Sequence, residues 1–111
     1  MVNLDFNGTL IATDDEGFLL DQTQWSPELM HFMALKDGLT LTENHIAVIE
    51  IVRNYHQKYA TTPAMRALIA LLRQEGHAAL ASSLALARLF PQGAAKSAAR
   101  YAGLTKPAKC I

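Results

Sequence analysis

The feature that most restricts the fold is the apolar stripe along residues 42–59. Ile46, Ile49, Val52, His56 and Tyr59 recur in steps of three and four, and Val48, Ile51 and Tyr55 widen the stripe. That period belongs to an α-helix. A stripe this wide exceeds what one neighbour covers, so the helix is expected at the centre of a helical group. Thr42 supplies its cap, and the motif LTENH opens it.

The other elements are placed around this helix by local signals. Residues 2–6 and 9–13 alternate in polarity and flank Asn7-Gly8, a pair that suits a two-residue hairpin because both turn positions need positive φ. Asp14, Asp15, Glu16 and Gly17 form a second turn, and residues 18–20 are expected as a short third strand. The acidic triplet lacks the ligand spacing of a calcium loop and reads as a solvated turn. Ser26 and Pro27 start a helix to about Lys36, with Leu29, Phe32 and Met33 inward and Gly38 ending it. Trp25 is expected to pack at the strand–helix corner. Thr62 and Pro63 are expected to begin a further helix, with Met65, Leu68, Ile69 and Leu72 inward and Gly76 closing it. Residues 78–89 are expected as another helix, stopped by Pro91, and residues 94–102 as a last one, closed by Gly103 in the left-handed conformation.

The chain has 111 residues, half of them apolar, which suits one core and one domain. Its net charge is zero, but unevenly spread. Residues 1–75 hold all ten acids and five bases, a net of −5; residues 76–111 hold five bases and no acid. A basic end of this kind implies an acidic partner or nucleic acid, or else attraction between the two ends of one molecule. No secretory signal or membrane-spanning segment is evident, so a cytoplasmic location is expected. One cysteine excludes an internal disulfide. His31, His45, His56 and His77 lack the spacing of a zinc site, so no metal is expected and packing roles are expected for His45 and His56. No serine–histidine–acid set, phosphate loop or carboxylate pair forms a motif.

Residues 93–111 read GAAKSAARYAGLTKPAKCI. They resemble a reactive arm: a small helix, a short extended tail and the thiol of Cys110 at the tip. Lys106 and Lys109 favour the thiolate, which is the attacking species. A spare thiol on a loose terminus is the alternative reading of the same residues. The helices meeting near residues 60–63 also resemble a helix-turn-helix, with Arg66 and Arg73 seven apart on its second member. Two arginines alone are usually a solvated face.

The run from residue 90 onward, with PQG, AAK, AGL, KP and the penultimate Cys110, resembles the carboxy-terminal arm of the DsrC/TusE family. DDEGFL, Trp25 and LTENH extend the resemblance over nearly the whole chain. DsrC is also called the gamma subunit of dissimilatory sulfite reductase. DsrC proteins carry a second cysteine eleven positions before the penultimate one; here that position is Ala99. Two arm thiols can close a disulfide or trisulfide, whereas one can hold sulfur only as a persulfide or mixed disulfide. The chain is therefore similar to the TusE branch, which relays persulfide sulfur toward 2-thiouridine at the tRNA wobble position.

The expected fold is α+β: a small antiparallel β-meander (residues 1–24) on a five-helix bundle (26–103), with a mobile cysteine arm (104–111). The resemblance implies a sulfurtransferase acting as a carrier, with a persulfide on Cys110 and no separate cofactor. It implies a TusBCD-like donor complex and a tRNA thiouridylase with bound tRNA as partners. Arg66, Arg73, Lys96, Arg100, Lys106 and Lys109 are the expected partner-binding residues, and direct contact with nucleic acid is a further expectation. The alternative is a DsrC-like regulator that binds DNA, or a partner of sulfite reductase or sulfur oxidation.

Overall fold

A computed structural model describes residues 2–107. The architecture is α+β: a two-stranded sheet, then five helices. Strands β1 (Val2–Phe6) and β2 (Thr9–Thr13) pair antiparallel, with Phe6 opposite Thr9 and Leu4 opposite Ile11. Asn7 and Gly8 both have positive φ, 52° and 86°, as the two-residue turn requires. Ile11 and Thr13 turn inward while Leu10 faces solvent. The expected third strand shrinks to one bridge, Thr13 to Leu19. Phe18 and Leu19 are still buried, but Asp14 holds the turn closed by accepting the backbone N–H of Glu16 and Phe18, which leaves too little extended chain for a strand.

Helix α1 (Pro27–Lys36) begins where Ser26 Oγ accepts the N–H of Leu29. Helix α2 (Glu43–Tyr59) is the longest. His45 is buried near its start, where Nδ1 accepts the backbone N–H of Thr42 and Nε2 lies 2.8 Å from the carbonyl of Leu89. With Nδ1 accepting, Nε2 carries the proton and donates to that carbonyl, tying α2 to the end of α4. Helix α3 (Met65–Gln74) starts later than the sequence suggests: Ala64 is its cap, and Thr62 faces inward with its hydroxyl used elsewhere. The expected helix over residues 78–89 is split. A 3-10 turn covers Ala78–Leu80 and ends at Ala81, the chain bends at Ser82, and Ser82 caps α4 (Ser83–Leu89) by accepting the N–H of Ala85. A serine at the cap position competes successfully with helix continuation.

Helix α5 (Ala94–Tyr101) is not part of an outlying arm. It is the hub of the bundle, in contact with each of α1 to α4. Ala94, Ser97, Ala98 and Ala99 are buried, and these small side chains let four helices approach one axis. Tyr101 and Phe90 are the largest of the fully buried side chains among the described residues, with Leu29, Ile49, Leu68 and Leu86 in the same core.

Ala60 ends α2 in the left-handed conformation, φ 56° and ψ 24°. An alanine there carries a steric cost that glycine lacks. Ala60→Gly is expected to raise the unfolding free energy by about 0.5–1 kcal/mol, read as a shift of the urea midpoint at constant slope.

Candidate functional site

Cys110 and Lys109 lie outside the described residues; what is described is the ground that leads to them. That ground is the carboxy-terminal end of α5. Four unpaired carbonyls normally remain at such an end. Here every carbonyl from Ala98 to Ala102 has a partner. The N–H groups of Ala102, Gly103 and Leu104 go to Ala98, Arg100 and Ala99. The last two bonds form a Schellman closure, and Gly103 supplies the positive φ, 71°, that it needs. The indole N–H of Trp25 then donates to the carbonyl of Tyr101 at 2.8 Å, and Nη1 of Arg53 donates to that of Ala102 at 2.7 Å. The Arg53 guanidinium also lies 3.6 Å from the centre of the Trp25 ring, within cation–π range.

Trp25 therefore does not merely fill the strand–helix corner; it caps α5. Arg53 was not singled out from the sequence. Its signal was there, since it stands four residues after Ile49 and three before His56, on the apolar side of α2. A charged residue at such a position needs a reason.

The segment after Gly103 is held down residue by residue. Leu104 is buried. Thr62 Oγ1 lies 2.9 Å from the Thr105 carbonyl and 3.1 Å from its hydroxyl. Lys106 Nζ reaches Glu16 at 2.8 Å. The expectation of a free arm from residue 104 is therefore corrected for residues 104–106. Leu104 contributes apolar area to the core, and Thr62 and Glu16 provide polar anchors. Residues 108–111 of that expected arm lie outside the described residues.

The basic residues separate into two groups. Lys96 and Lys106 share Glu16, at 2.9 and 2.8 Å. The hydrogen bonds from Lys106 and then Lys96 hold the Glu16 carboxyl below the usual glutamate range. Arg100 pairs with Asp37, whose carboxylate also accepts from the Tyr101 hydroxyl at 2.7 Å. These three cations of the basic end thus meet acids of the same molecule. The acidic turn of residues 14–17 is one of the surfaces they meet. Arg66 and Arg73 stand apart, exposed on α3. A groove of about 690 Å³ runs between α2 and α3 past Tyr55, Tyr59, Leu71 and His77, and none of residues 103–107 lines it. Among the described residues, no three His, Cys, Asp or Glu side chains cluster as metal ligands.

Burial, followed by the neighbouring Asp37, pushes the Tyr101 hydroxyl well above the ordinary tyrosine value. A raised folded value means that the neutral form is favoured by folding. That stability is complete below the unfolded value, about 10, and is lost as pH rises beyond it. Stability is expected to fall progressively above about pH 10, and Tyr101→Phe to flatten that fall, in urea titrations run at stepped pH.

Ala99, the position at which the resemblance places a second cysteine in DsrC proteins, is fully buried within α5. No helix of the described residues is long and apolar enough to cross a membrane.

Residues 5–111 match the family described as DsrC like protein. The chain is 44% identical over 108 residues to Sulfurtransferase TusE of Pectobacterium atrosepticum, a span of 97% of this chain and 99% of that protein. It is 40% identical over 108 residues to the Sulfurtransferase TusE homolog of Haemophilus influenzae, again 97% of this chain and 99% of the relative. Among solved structures, the NMR structure of Allochromatium vinosum DsrC superposes with a TM-score of 0.87 at 37% identity, covering 98% of this chain and 97% of that one. The crystal structure of the oxidized gamma-subunit of dissimilatory sulfite reductase from Archaeoglobus fulgidus gives 0.84 at 33% identity, covering 99% and 100%. With the α+β fold and nearly the full length in agreement, the chain belongs to the DsrC-like family.

Proposed function

We propose that this protein is a sulfurtransferase of the TusE kind, a cytoplasmic sulfur carrier that takes up persulfide sulfur on Cys110 and hands it on in a relay ending in 2-thiouridine at the tRNA wobble position. The observation that carries this reading is the near full-length similarity to proteins named Sulfurtransferase TusE in a chain whose single cysteine is Cys110. With alanine at position 99, no second arm thiol exists to close a bridge, so the sulfur is held as a persulfide.

The step is a thiolate displacement. The Cys110 thiolate attacks the outer sulfur of a donor persulfide, R–S–SH. The donor sulfur–sulfur bond breaks as a new one forms on Cys110. The transferred sulfur keeps its proton, the donor leaves as the thiolate RS⁻, and no electrons are gained or lost overall. A TusBCD-like complex is the proposed donor, and a tRNA thiouridylase with bound tRNA the proposed acceptor. Lys106 is engaged by Glu16, so Lys109, adjacent to Cys110 in sequence, is the cation proposed to favour the thiolate. Lys96, Arg100, Arg66 and Arg73 remain proposed docking residues, with Arg66, Arg73 and Lys96 exposed and Arg100 half-buried.

The test is intact-mass measurement after incubation with a persulfide donor. The native chain is expected to gain the mass of one sulfur atom, and a reductant is expected to remove it. A native chain that never gains it from any competent donor sinks the reading.

A further inference from the structure

The chain leading to Cys110 leaves the body late. Gly103 lies under Trp25, where a Cβ would stand 2.5 Å from the indole Cδ1. Leu104 is buried and its N–H is used by Ala99. Thr105 is held by Thr62 from the α2–α3 turn, and Lys106 by Glu16 from the turn after β2. Three Cα steps separate Pro107 from Cys110, and even a fully extended chain covers no more than about 11 Å in that distance. The place where residues 105–107 sit therefore bounds where a thiol on Cys110 can act.

We propose that Thr62 and Glu16 are positioning residues for sulfur transfer: gripping Thr105 and Lys106 from two different elements, they fix the point from which the short segment carrying Cys110 starts. This rests on the carrier reading above. Thr62 is 3% exposed, and its hydroxyl meets both the carbonyl and the hydroxyl of Thr105. A buried hydroxyl spent on an exposed residue 43 positions away does little for the core, where a valine of the same shape would pack as well. It does much for the place of Thr105. Glu16 serves the same end more loosely. Lys96 and Lys106 share its carboxylate, and both lysines are about half exposed, so salt weakens this hold while leaving the Thr62 contact in place.

The consequence is a distinction between donors. A small persulfide diffuses to the thiol wherever it points. A folded donor with its own persulfide at the bottom of a cleft reacts only when the root of the short segment is held at the mouth of that cleft, because transfer between two bodies depends on how they are placed.

The experiment measures Cys110 loading by mass at equal times from two probes: glutathione persulfide, and rhodanese carrying a cysteine persulfide generated from thiosulfate. The quantity read is the ratio of the rhodanese rate to the glutathione persulfide rate. Thr62→Val is expected to lower that ratio roughly three- to tenfold, the range that loss of one hydrogen bond supports, and Thr62→Ser to restore it. Glu16→Gln, at a surface position where folding is not at risk, is expected to lower the ratio at low salt and to match the native chain at high salt. A ratio equal to the native one in Thr62→Val and in Glu16→Gln overturns the proposal while leaving the carrier reading intact. A native chain that loads from neither probe overturns both. A Thr62→Val ratio that Thr62→Ser fails to restore assigns the effect to packing and also overturns it.

Discussion

Cys110→Ser is expected to abolish sulfur uptake while leaving the thermal midpoint of the protein in place. A serine hydroxyl is scarcely ionised near neutral pH, and it cannot form a persulfide. No other thiol exists in the chain to substitute. Among the described residues, the largest fully buried side chains belong to the helices and to Thr13, Pro63 and Phe90. A polar replacement beyond Pro107 is therefore expected to change stability by less than about 0.5 kcal/mol, as surface changes do. The check combines intact mass after a persulfide donor with a thermal scan. Sulfur retained on the serine variant would remove Cys110 from the mechanism. A large loss of stability would give the residue a structural role instead.

The second large effect concerns Gly103, far from any chemistry of its own. Gly103→Ala is expected to destabilise the domain severely. Two costs combine. The backbone at φ 71° is left-handed, which costs a side chain about 1 kcal/mol. The new Cβ would also stand 2.5, 2.8 and 2.9 Å from Trp25 Cδ1, Cγ and Cβ. Trp25 cannot simply turn away. Its N–H holds the Tyr101 carbonyl, and the Arg53 guanidinium lies on its ring while holding Ala102. Overpacking of this kind adds about 1–3 kcal/mol. The sum, about 2–4 kcal/mol, corresponds to a fall in midpoint on the order of 10 °C or more for a domain of this size. Circular dichroism on heating measures it. A fall under about 3 °C would mean that Trp25 is free to move and that the cap on α5 is not held as described. Loss of the cap should also loosen Leu104 and Thr105, so sulfur transfer from a protein donor is expected to suffer along with stability.

The two results bear on different levels of the molecule. Cys110 is chemistry carried on a short segment, and its replacement should leave the core alone. Gly103 joins that segment to the hub helix, and its replacement should disturb both.

The difference also marks where the sequence was informative. Signals that act over a few neighbouring residues were legible. Asn7-Gly8 dictated the hairpin, Ser26 with Pro27 and Thr42 set two helix starts, and Gly103 ended α5. Each rests on φ, ψ and a backbone bond within three or four positions, so the chain alone determines them. The lone cysteine, alanine at 99 and the arm motifs were equally plain, because they are identities rather than geometries. Local signals also misled where two of them competed. Ser82 stopped a helix that the run of good formers would have continued, and Asp14 closed a turn where a strand seemed to follow.

Only the tertiary structure decided the rest. Thr62 looked like a helix cap and instead holds Thr105, 43 positions away. Arg53 and Trp25 cap α5 from 49 and 76 positions away. Glu16 looked like part of a solvated turn and pairs with Lys96 and Lys106, 80 and 90 positions away. Helix α5 looked like the start of an arm because its alanines have little apolar area each. They are the hub because four helices must converge, and only small side chains allow that approach. A residue's type states which bonds it can make. Which of them it makes depends on what the packed core brings within 3 Å, and that is a property of the whole fold.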